Sequence, residues 1–317
     1  MLSVLLALWG SALVGRLLRR WPQPWVSGLL TYIIWVMLFC IGIEVGGNET
    51  LMKSLGRLGF ESLVATFLIV LTCAVGVNWF WRTYLSKKDN SPVDKTARRK
   101  LKKFYFRRIK ISYRTLWHNL KDSVYIMLCF VLGCVCGVFG ANEYLSEHAT
   151  FVCLYMLMAC VGFGIGQNRE LLSSMKATKK KLLLMPVLTI VFTWIGSLIV
   201  ALIFSHYSVT EWLAVGSGFG YYSLSSILIT EVKGAELGTI ALLYNVLREI
   251  FGIVFAPLWA KYFGPLAPIT VGGATTADTT LPAISRASGE EYIPVSIFHG
   301  ILVDFTVPFL VPFFLAF

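Results

Sequence analysis

The sequence predicts an all-α polytopic membrane protein with about eight transmembrane helices, two re-entrant or broken Gly-rich elements, and inverted repeats. The first observation is composition: 56% of the 317 residues are hydrophobic and 14% are charged, against about 45–50% and about 25% in soluble domains. The second is a series of apolar segments of spanning length, and the third is self-similarity at two fixed offsets. Together these observations exclude a disordered chain, a collagen and a water-soluble enzyme.

Apolar segments approach or exceed the roughly 20 residues that cross a hydrocarbon core about 30 Å thick. They are residues 2–18, 25–45, 60–81, 124–141, 150–165, 182–204, 237–260 and 292–316. Positive charge follows the first segment instead of preceding it, so we expect a retained membrane helix there and not a signal peptide.

Positive charge is concentrated in one linker. Residues 82–121 hold 14 of the 28 Lys and Arg and two of the 17 Asp and Glu, which leaves 14 basic and 15 acidic residues elsewhere. Because short basic loops stay in the cytoplasm, we expect the linker inside and the amino terminus outside. A linker lying on anionic lipid explains this charge more simply than nucleic-acid binding, which is the alternative.

An internal repeat relates residues 1–81 to 121–201 at an offset of 120. The matched pairs are Cys40 and Cys160, Gly42 and Gly162, Gly46 and Gly166, Asn48 and Asn168, Leu51 and Leu171, and Ser54 and Ser174. Each copy holds three helices, so the second copy enters the membrane inverted, a pattern typical of secondary transporters. The predicted organisation is a first repeat (1–81), the basic linker (82–121), an inverted repeat (122–205) and a transport region (206–317).

A weaker repeat, at an offset of 55, relates two Gly-, Ser- and Thr-rich stretches, 216–226 and 272–282. It also matches Glu249 with Asp304. Each Gly costs about 1 kcal/mol and each Pro about 3 kcal/mol relative to Ala in a helix, and irregular backbone at membrane depth survives only against protein or a wet cavity. We therefore expect re-entrant or broken elements whose tips meet. The alternative is that residues 212–229 simply span the bilayer.

Long motifs near the carboxyl end resemble those of the LysO family of bacterial lysine exporters. They are residues 218–231 (GFGYYSLSSILITE), Arg248–Glu249, residues 273–282 (GATTADTTLP) and His299–Gly300. The resemblance implies a multi-pass inner-membrane protein with eight spanning helices and both termini outside. It also implies export of L-lysine and its analogues in exchange for protons, with no other cofactor. A cation or organic-anion exchanger of the same architecture is the alternative.

Ionisable residues inside a membrane cost about 2.5–3.5 kcal/mol on insertion scales and so mark candidate sites. Asp278, which matches an intramembrane Asp of the family, would bind the lysine ammonium and exchange it for a proton, or would only cap the helix that follows. Glu249 would be a second substrate or proton carboxylate. Arg248 would fix a carboxylate, either of the substrate or of Asp304.

Asn245 stands where the family pattern has Asp, which leaves the substrate range open. With Arg248 and Glu249 it could instead form a buried structural network. The remaining candidates each carry a structural alternative, such as packing or an interfacial position: they are Glu44, Tyr221, Tyr222, Ser223, Ser225, Thr276 and His299.

The sequence predicts no metal site and no enzymatic activity. His299 and Asp304 are five residues apart on one helix and so point about 140° apart. The seven cysteines fall inside apolar spans without a Cys-x-x-Cys pair, so neither a disulfide framework nor a zinc site is expected. Nucleotide-binding and protease motifs are absent from the sequence.

Overall fold

The computed structural model describes residues 2–18, 24–85, 113–141, 147–167, 178 and 180–317. Over these residues the fold is helical, without a β-strand. The helices are α1 (Leu2–Leu17), α2 (Pro24–Gly46), α3 (Glu49–Phe80), α4 (Tyr113–Val138), α5 (Glu147–Gln167), α6 (Met185–Ile203), α7 (Val209–Gly216), α8 (Tyr222–Lys233), α9 (Ala235–Val254), α10 (Ala256–Phe263), α11 (Ala267–Gly272), α12 (Leu281–Ser288) and α13 (Ile293–Leu315). A 3-10 segment, Gly273–Ala277, follows α11.

Several of these helices are long and apolar enough to cross a membrane. Within the described part of the chain, five qualify by length and composition: Gly28–Gly46, Glu49–Thr83, Lys180–Ile203, Ala235–Val254 and Glu290–Leu315. Two shorter apolar stretches, Met127–Val138 and Val152–Gly164, lie in α4 and α5. The prediction of an all-α multi-pass membrane protein is confirmed, and the count of eight spans stays a prediction.

Of the helix boundaries that differ from the predicted spans, two follow from local capping chemistry. Helix α3 begins well before residue 60, since the Asn48 side chain accepts hydrogen bonds from the backbone N–H groups of Thr50 and Leu51 and so caps the first turn. The predicted span 237–260 ends instead at Val254. Pro257 then lies at the start of the separate helix α10, where its missing N–H costs nothing.

Helices α1, α2, α4 and α5 pack together into a unit that we call the panel. Helix α2 lies along α4, and α1 lies along α5. Both contacts are close: Gly46 packs against the carbonyl of Cys134, and Gly166 packs against the carbonyl of Ala12. Small residues at such crossings let helix backbones approach within a membrane protein.

The remaining helices, α3 and α6–α13, form a second unit that we call the core. Helix α3 packs on α6, α9 and α11, and α13 packs on α7, on α8 and on the 3-10 segment 273–277. The third helix of each predicted repeat therefore packs mainly with the core, although α3 also contacts α2 of the panel.

The first Gly-rich stretch is a broken hairpin made of α7 and α8, which we call hairpin 1 (209–233). The helix stops at Gly216 and restarts at Tyr222. Its two ends lie together, because Lys233 Nζ is 3.3 Å from Glu211 Oε1. The chain enters and leaves this element at the same end, so the alternative of a single span over 212–229 is wrong.

The second stretch, α11 and α12, is a second broken hairpin, hairpin 2 (267–288), and it enters from the opposite end of the core. Contacts near the two ends of α3 show how far apart the bases of the two hairpins lie. Near its start Arg57 pairs with Glu236, beside the end of hairpin 1, and just after its end Trp81 lies next to Gly264, before hairpin 2. The 24 residues from Arg57 to Trp81 span about 36 Å of helix.

The tips of the two hairpins meet, as predicted. The backbone N–H of Ala274 donates to the carbonyl of Phe219 at 2.9 Å. Gly273 has φ +63°, and a Cβ there would run into the Phe219 carbonyl, so this contact requires glycine. Most of the basic linker and the repeat residues Asn168, Leu171 and Ser174 lie outside the described residues.

Candidate functional site

Helix α9 passes behind both hairpin breaks, and Asn245 on this helix holds hairpin 1. Its Oδ1 accepts the backbone N–H of Gly220 at 2.7 Å, inside the break. Its Nδ2 donates to the carbonyl of Ala241 at 2.8 Å and to Ser225 Oγ at 3.1 Å. The amide is fully buried and its donors and acceptor are used within the fold. Asn245 therefore holds the broken backbone in place.

Arg248, one turn further along α9, holds hairpin 2. Its Nε donates to the Val271 carbonyl at 3.0 Å and its Nη2 to the Thr270 carbonyl at 3.1 Å. Further donors reach Tyr244 Oη at 2.9 Å and Thr193 Oγ1 at 3.3 Å. The two carbonyls lie at the end of α11, where helix carbonyls lack partners and carry partial negative charge. The guanidinium thus binds carbonyl and hydroxyl oxygens, where the sequence had suggested a carboxylate.

His299 and Thr276 join hairpin 2 to its neighbours. Both are buried, and Thr276 Oγ1 lies 2.9 Å from His299 Nδ1. On the other side of the ring, Thr189 Oγ1 of α6 lies 2.7 Å from Nε2. Both ring nitrogens therefore have hydroxyl partners within the core, which is the packing arrangement. A proton-path role for His299 stays a prediction.

A cavity of about 620 Å³ opens between the core and the panel. Ligand sites usually measure about 300–1,000 Å³. The panel lines it with Leu30, Cys160, Val161 and Gly164, and the core lines it with Gly220, Tyr221, Tyr222, Ser223, Glu249, Ala274, Thr275, Ala277, Asp278, Thr279, Gly300, Ile301, Asp304 and Phe305. Both hairpin breaks contribute to this wall, so the cavity lies where the tips meet.

Three carboxylates from three different elements line this cavity. Glu249 comes from α9 and is fully buried, Asp278 comes from the break of hairpin 2 and is exposed, and Asp304 comes from α13. Glu249 and Asp304 are matched at the offset of 55, and both face the same space. Among the described residues that line the cavity, none is Lys, Arg or His. Its side-chain charge is therefore exclusively acidic.

The other predicted site residues divide into two groups. Tyr221, Tyr222 and Ser223 line the cavity at the start of α8. Ser225 lies behind this wall and donates to the Tyr221 carbonyl at 2.8 Å. Glu44 is exposed near the end of α2. Four further predicted site residues are not among the residues that line the cavity: Asn245, Arg248, Thr276 and His299.

The panel residues of the cavity were missed by the sequence argument, although a signal existed for one of them. Cys160 belongs to a matched pair of the repeat at the offset of 120, but a small apolar residue shared by two copies is explained equally well by packing. Gly300 and Ile301 could have been found from Asp304, since residues three and four apart share a helix face, and Phe305 lies four residues after Ile301. Nothing in the local sequence distinguishes Leu30 from other leucines of α2.

Comparison with known proteins shows which family the sequence matches. The sequence profile described as "Lysine exporter LysO" matches residues 5–89 and 127–315. The lysine exporter LysO of Escherichia coli K12 is 28% identical over 296 residues, which is 92% of this chain and 91% of that protein. A Haemophilus influenzae protein named as a candidate lysine exporter is 32% identical over 197 residues, which is 61% of this chain and 95% of that protein. No solved structure matches the chain. The profile covers most of the sequence, and the chain therefore belongs to the lysine exporter LysO family.

Proposed function

We propose that this protein exports L-lysine and related cationic amino acids across the bacterial inner membrane in exchange for protons. The observation that carries the proposal is the acidic cavity where two broken hairpins meet between the core and the panel. Its relatives are named as lysine exporters. A substrate with two ammonium groups suits a wall with three carboxylates and, among the described residues, no basic side chain.

The same carboxylates supply the coupling. A carboxylate away from bulk water holds either a proton or an ammonium ion, because each neutralises the charge that burial disfavours. Binding of lysine therefore expels a proton, and release of lysine permits protonation. The membrane potential opposes export of one positive charge by about 2.3 kcal/mol per 100 mV. One-for-one exchange with a proton removes this penalty.

Alternating access would arise from movement of the core against the panel. The pairing of α1 with α5 and of α2 with α4 is what two inverted copies related by a two-fold axis would produce. In the structure the cavity uses Cys160, Val161 and Gly164 of α5. Their counterparts at the offset of 120 are Cys40, Ile41 and Glu44 of α2. Exchange of the two conformations would bring Glu44 to the substrate in the opposite state.

The structure supports an inward-facing state under the predicted orientation. Leu30 lies near the start of α2 and Gly164 near the end of α5, and basic residues adjoin both of these helix ends in the sequence. Short basic loops face the cytoplasm. The cavity therefore lies nearer the cytoplasmic ends of the panel helices, with hairpin 1 entering from outside. The basic linker would rest on anionic lipid of the inner leaflet.

The alternative of an organic-anion exchanger loses support from the cavity, since an anion buried against three carboxylates would need a cationic partner. A different cationic cargo remains compatible with the same wall. The transport assay separates these cases by its substrate.

The test uses the purified full chain in vesicles loaded with labelled lysine. An imposed proton gradient should accelerate lysine release. Asp278→Asn should abolish this acceleration, whereas Glu290→Gln, the same chemical change at an exposed position, should preserve it. A rate of lysine release that changes neither with the proton gradient nor with Asp278→Asn would contradict the proposal.

A further inference from the structure

The cavity is built for ammonium groups and offers little to the carboxylate that lysine also carries. We propose that it accepts unbranched alkanediamines, and 1,5-diaminopentane in particular, as a further substrate class. This inference rests on the proposed function, because it uses the same cavity. 1,5-Diaminopentane has the same five-carbon spacing between its nitrogens as lysine, and it lacks the carboxylate.

The cavity wall carries negative charge from three carboxylates. Glu249, Asp278 and Asp304 come from three separate elements, so a molecule extended across the cavity can meet more than one of them. Of the described lining residues, none carries positive charge. A substrate carboxylate would therefore be desolvated among like charges, which is unfavourable without a strong partner. A diamine avoids this conflict.

Arg248, which adjoins Glu249 on α9, already has hydrogen-bond partners within the fold. Arg248 is fully buried and donates to the Thr270 and Val271 carbonyls and to two hydroxyls. It is not part of the cavity wall. To bind a substrate carboxylate it would have to release the carbonyls that hold hairpin 2. The guanidinium is therefore assigned to the fold and not to an amino-acid carboxylate.

The apolar part of the wall suits the chain between two ammonium groups. Leu30 and Val161 of the panel line the same cavity as Ile301 and Phe305 of the core. Methylene groups gain free energy when apolar surface covers them. Tyr221 and Tyr222 add aromatic rings, whose faces attract alkylammonium ions. A cavity lined by carboxylates together with apolar and aromatic surface suits a diamine, which has two ammonium groups joined by methylenes.

The start of α8 offers a candidate binding site for the lysine carboxylate. The start of α8, at Tyr222 and Ser223, lines the cavity, and a helix start presents backbone N–H donors. If these donors bind the lysine carboxylate, that group is recognised and its removal weakens binding. The two accounts predict opposite results for ligands that differ only in the carboxylate.

The experiment measures displacement of labelled lysine from the purified full chain in nanodiscs at neutral pH. The competitors are 1,5-diaminopentane, which lacks the carboxylate, 6-aminohexanoate, which lacks the α-ammonium, and norleucine, which lacks the side-chain ammonium. We expect the diamine to match lysine within about threefold, and the other two to bind at least tenfold more weakly, where tenfold corresponds to about 1.4 kcal/mol. A diamine tenfold weaker than lysine would overturn the inference.

Failure of the proposed function gives a different result from failure of this inference. If labelled lysine does not bind at all, the proposed function fails, and direct binding of labelled 1,5-diaminopentane then decides the inference. Vesicle release of the labelled diamine provides the functional readout. Asp304→Asn should reduce that release at least tenfold, a change of about 1.4 kcal/mol, and Glu290→Gln should not. Release unaffected by Asp304→Asn would contradict a role for this cavity.

Discussion

The two broken hairpins meet tip to tip, but α9 holds them with opposite chemistry. Hairpin 1 presents a backbone N–H, from Gly220, and the amide oxygen of Asn245 accepts it. Hairpin 2 presents the carbonyls of Thr270 and Val271, and the guanidinium of Arg248 donates to both. Each side chain matches the backbone group that its break leaves without a helical partner.

Neighbouring polar residues of α9 have two different roles: some hold the hairpins, and one lines the cavity. Asn245, Arg248 and Glu249 occupy a stretch of five residues. The first two face the hairpins and are used by the fold, whereas Glu249 lines the cavity with Asp278 and Asp304. Polar residues inside a membrane protein therefore need not share one role. Variants of the two hairpin-holding residues and variants of the cavity carboxylate should therefore fail in different ways.

The largest effect is expected from Arg248→Gln. This change removes the donors to the Thr270 and Val271 carbonyls, which are buried and would lose charge-assisted hydrogen bonds worth about 1.5–3 kcal/mol each. We expect the free energy of unfolding in detergent to fall by at least about 3 kcal/mol. The matched control is Arg286→Gln, at an exposed position of α12, which should change stability by less than about 0.5 kcal/mol. Equal stability of the two variants would contradict the assignment of Arg248 to the fold.

Gly273→Ala should come next, because it acts on the contact between the tips. The residue has φ +63°, and its Cβ would meet the Phe219 carbonyl that accepts from Ala274. Backbone strain of this kind costs about 1–3 kcal/mol. We expect a lower thermal unfolding midpoint together with loss of lysine binding. Gly264→Ala, also at positive φ but before hairpin 2, is the control, and it should lower the midpoint while lysine binding persists.

Variants of Asn245 test whether this side chain holds hairpin 1 or contacts the substrate. Asn245→Asp keeps the oxygen that accepts from Gly220, whereas Asn245→Ala removes every bond of this side chain. We expect the Ala variant to lose about 2 kcal/mol of stability and the Asp variant less. Vesicle export should keep the same substrate preference in Asn245→Asp. A changed preference would mean that this position contacts the cargo.

The smallest effect on stability is expected at Glu44. The residue is exposed in the structure and is not among the cavity-lining residues, so Glu44→Gln should change unfolding by less than about 0.5 kcal/mol. In the proposed inward-facing state lysine binding should stay unchanged, while export should slow several-fold because the proposed opposite state uses this carboxylate. If Glu44→Gln exports lysine at the normal rate, the proposal that α2 replaces α5 as a wall of the cavity in the opposite state would be contradicted.

Much of the fold follows from the sequence because its signals are local. Apolar length predicts membrane helices, and Gly273 and its Gly-, Ser- and Thr-rich neighbours predict the break of hairpin 2. The site was predicted less completely. Glu249, Asp278 and Asp304 were found because charge is rare in such segments. The different roles of the adjacent residues Arg248 and Glu249 could not be predicted, because they depend on how the hairpins pack around α9. The panel residues Leu30 and Val161 carry no local signal, since their role arises only from the packing of distant helices.

The central claim is that cavity carboxylates bind the substrate while the neighbouring buried polar residues hold the hairpins. Lysine binding and thermal unfolding, measured on the same purified samples of Asp304→Asn and Asn245→Ala, test it most directly. We expect Asp304→Asn to weaken lysine binding at least tenfold, about 1.4 kcal/mol, without lowering the thermal unfolding midpoint. We expect Asn245→Ala to lower that midpoint. Normal lysine binding by a folded Asp304→Asn variant would contradict the account.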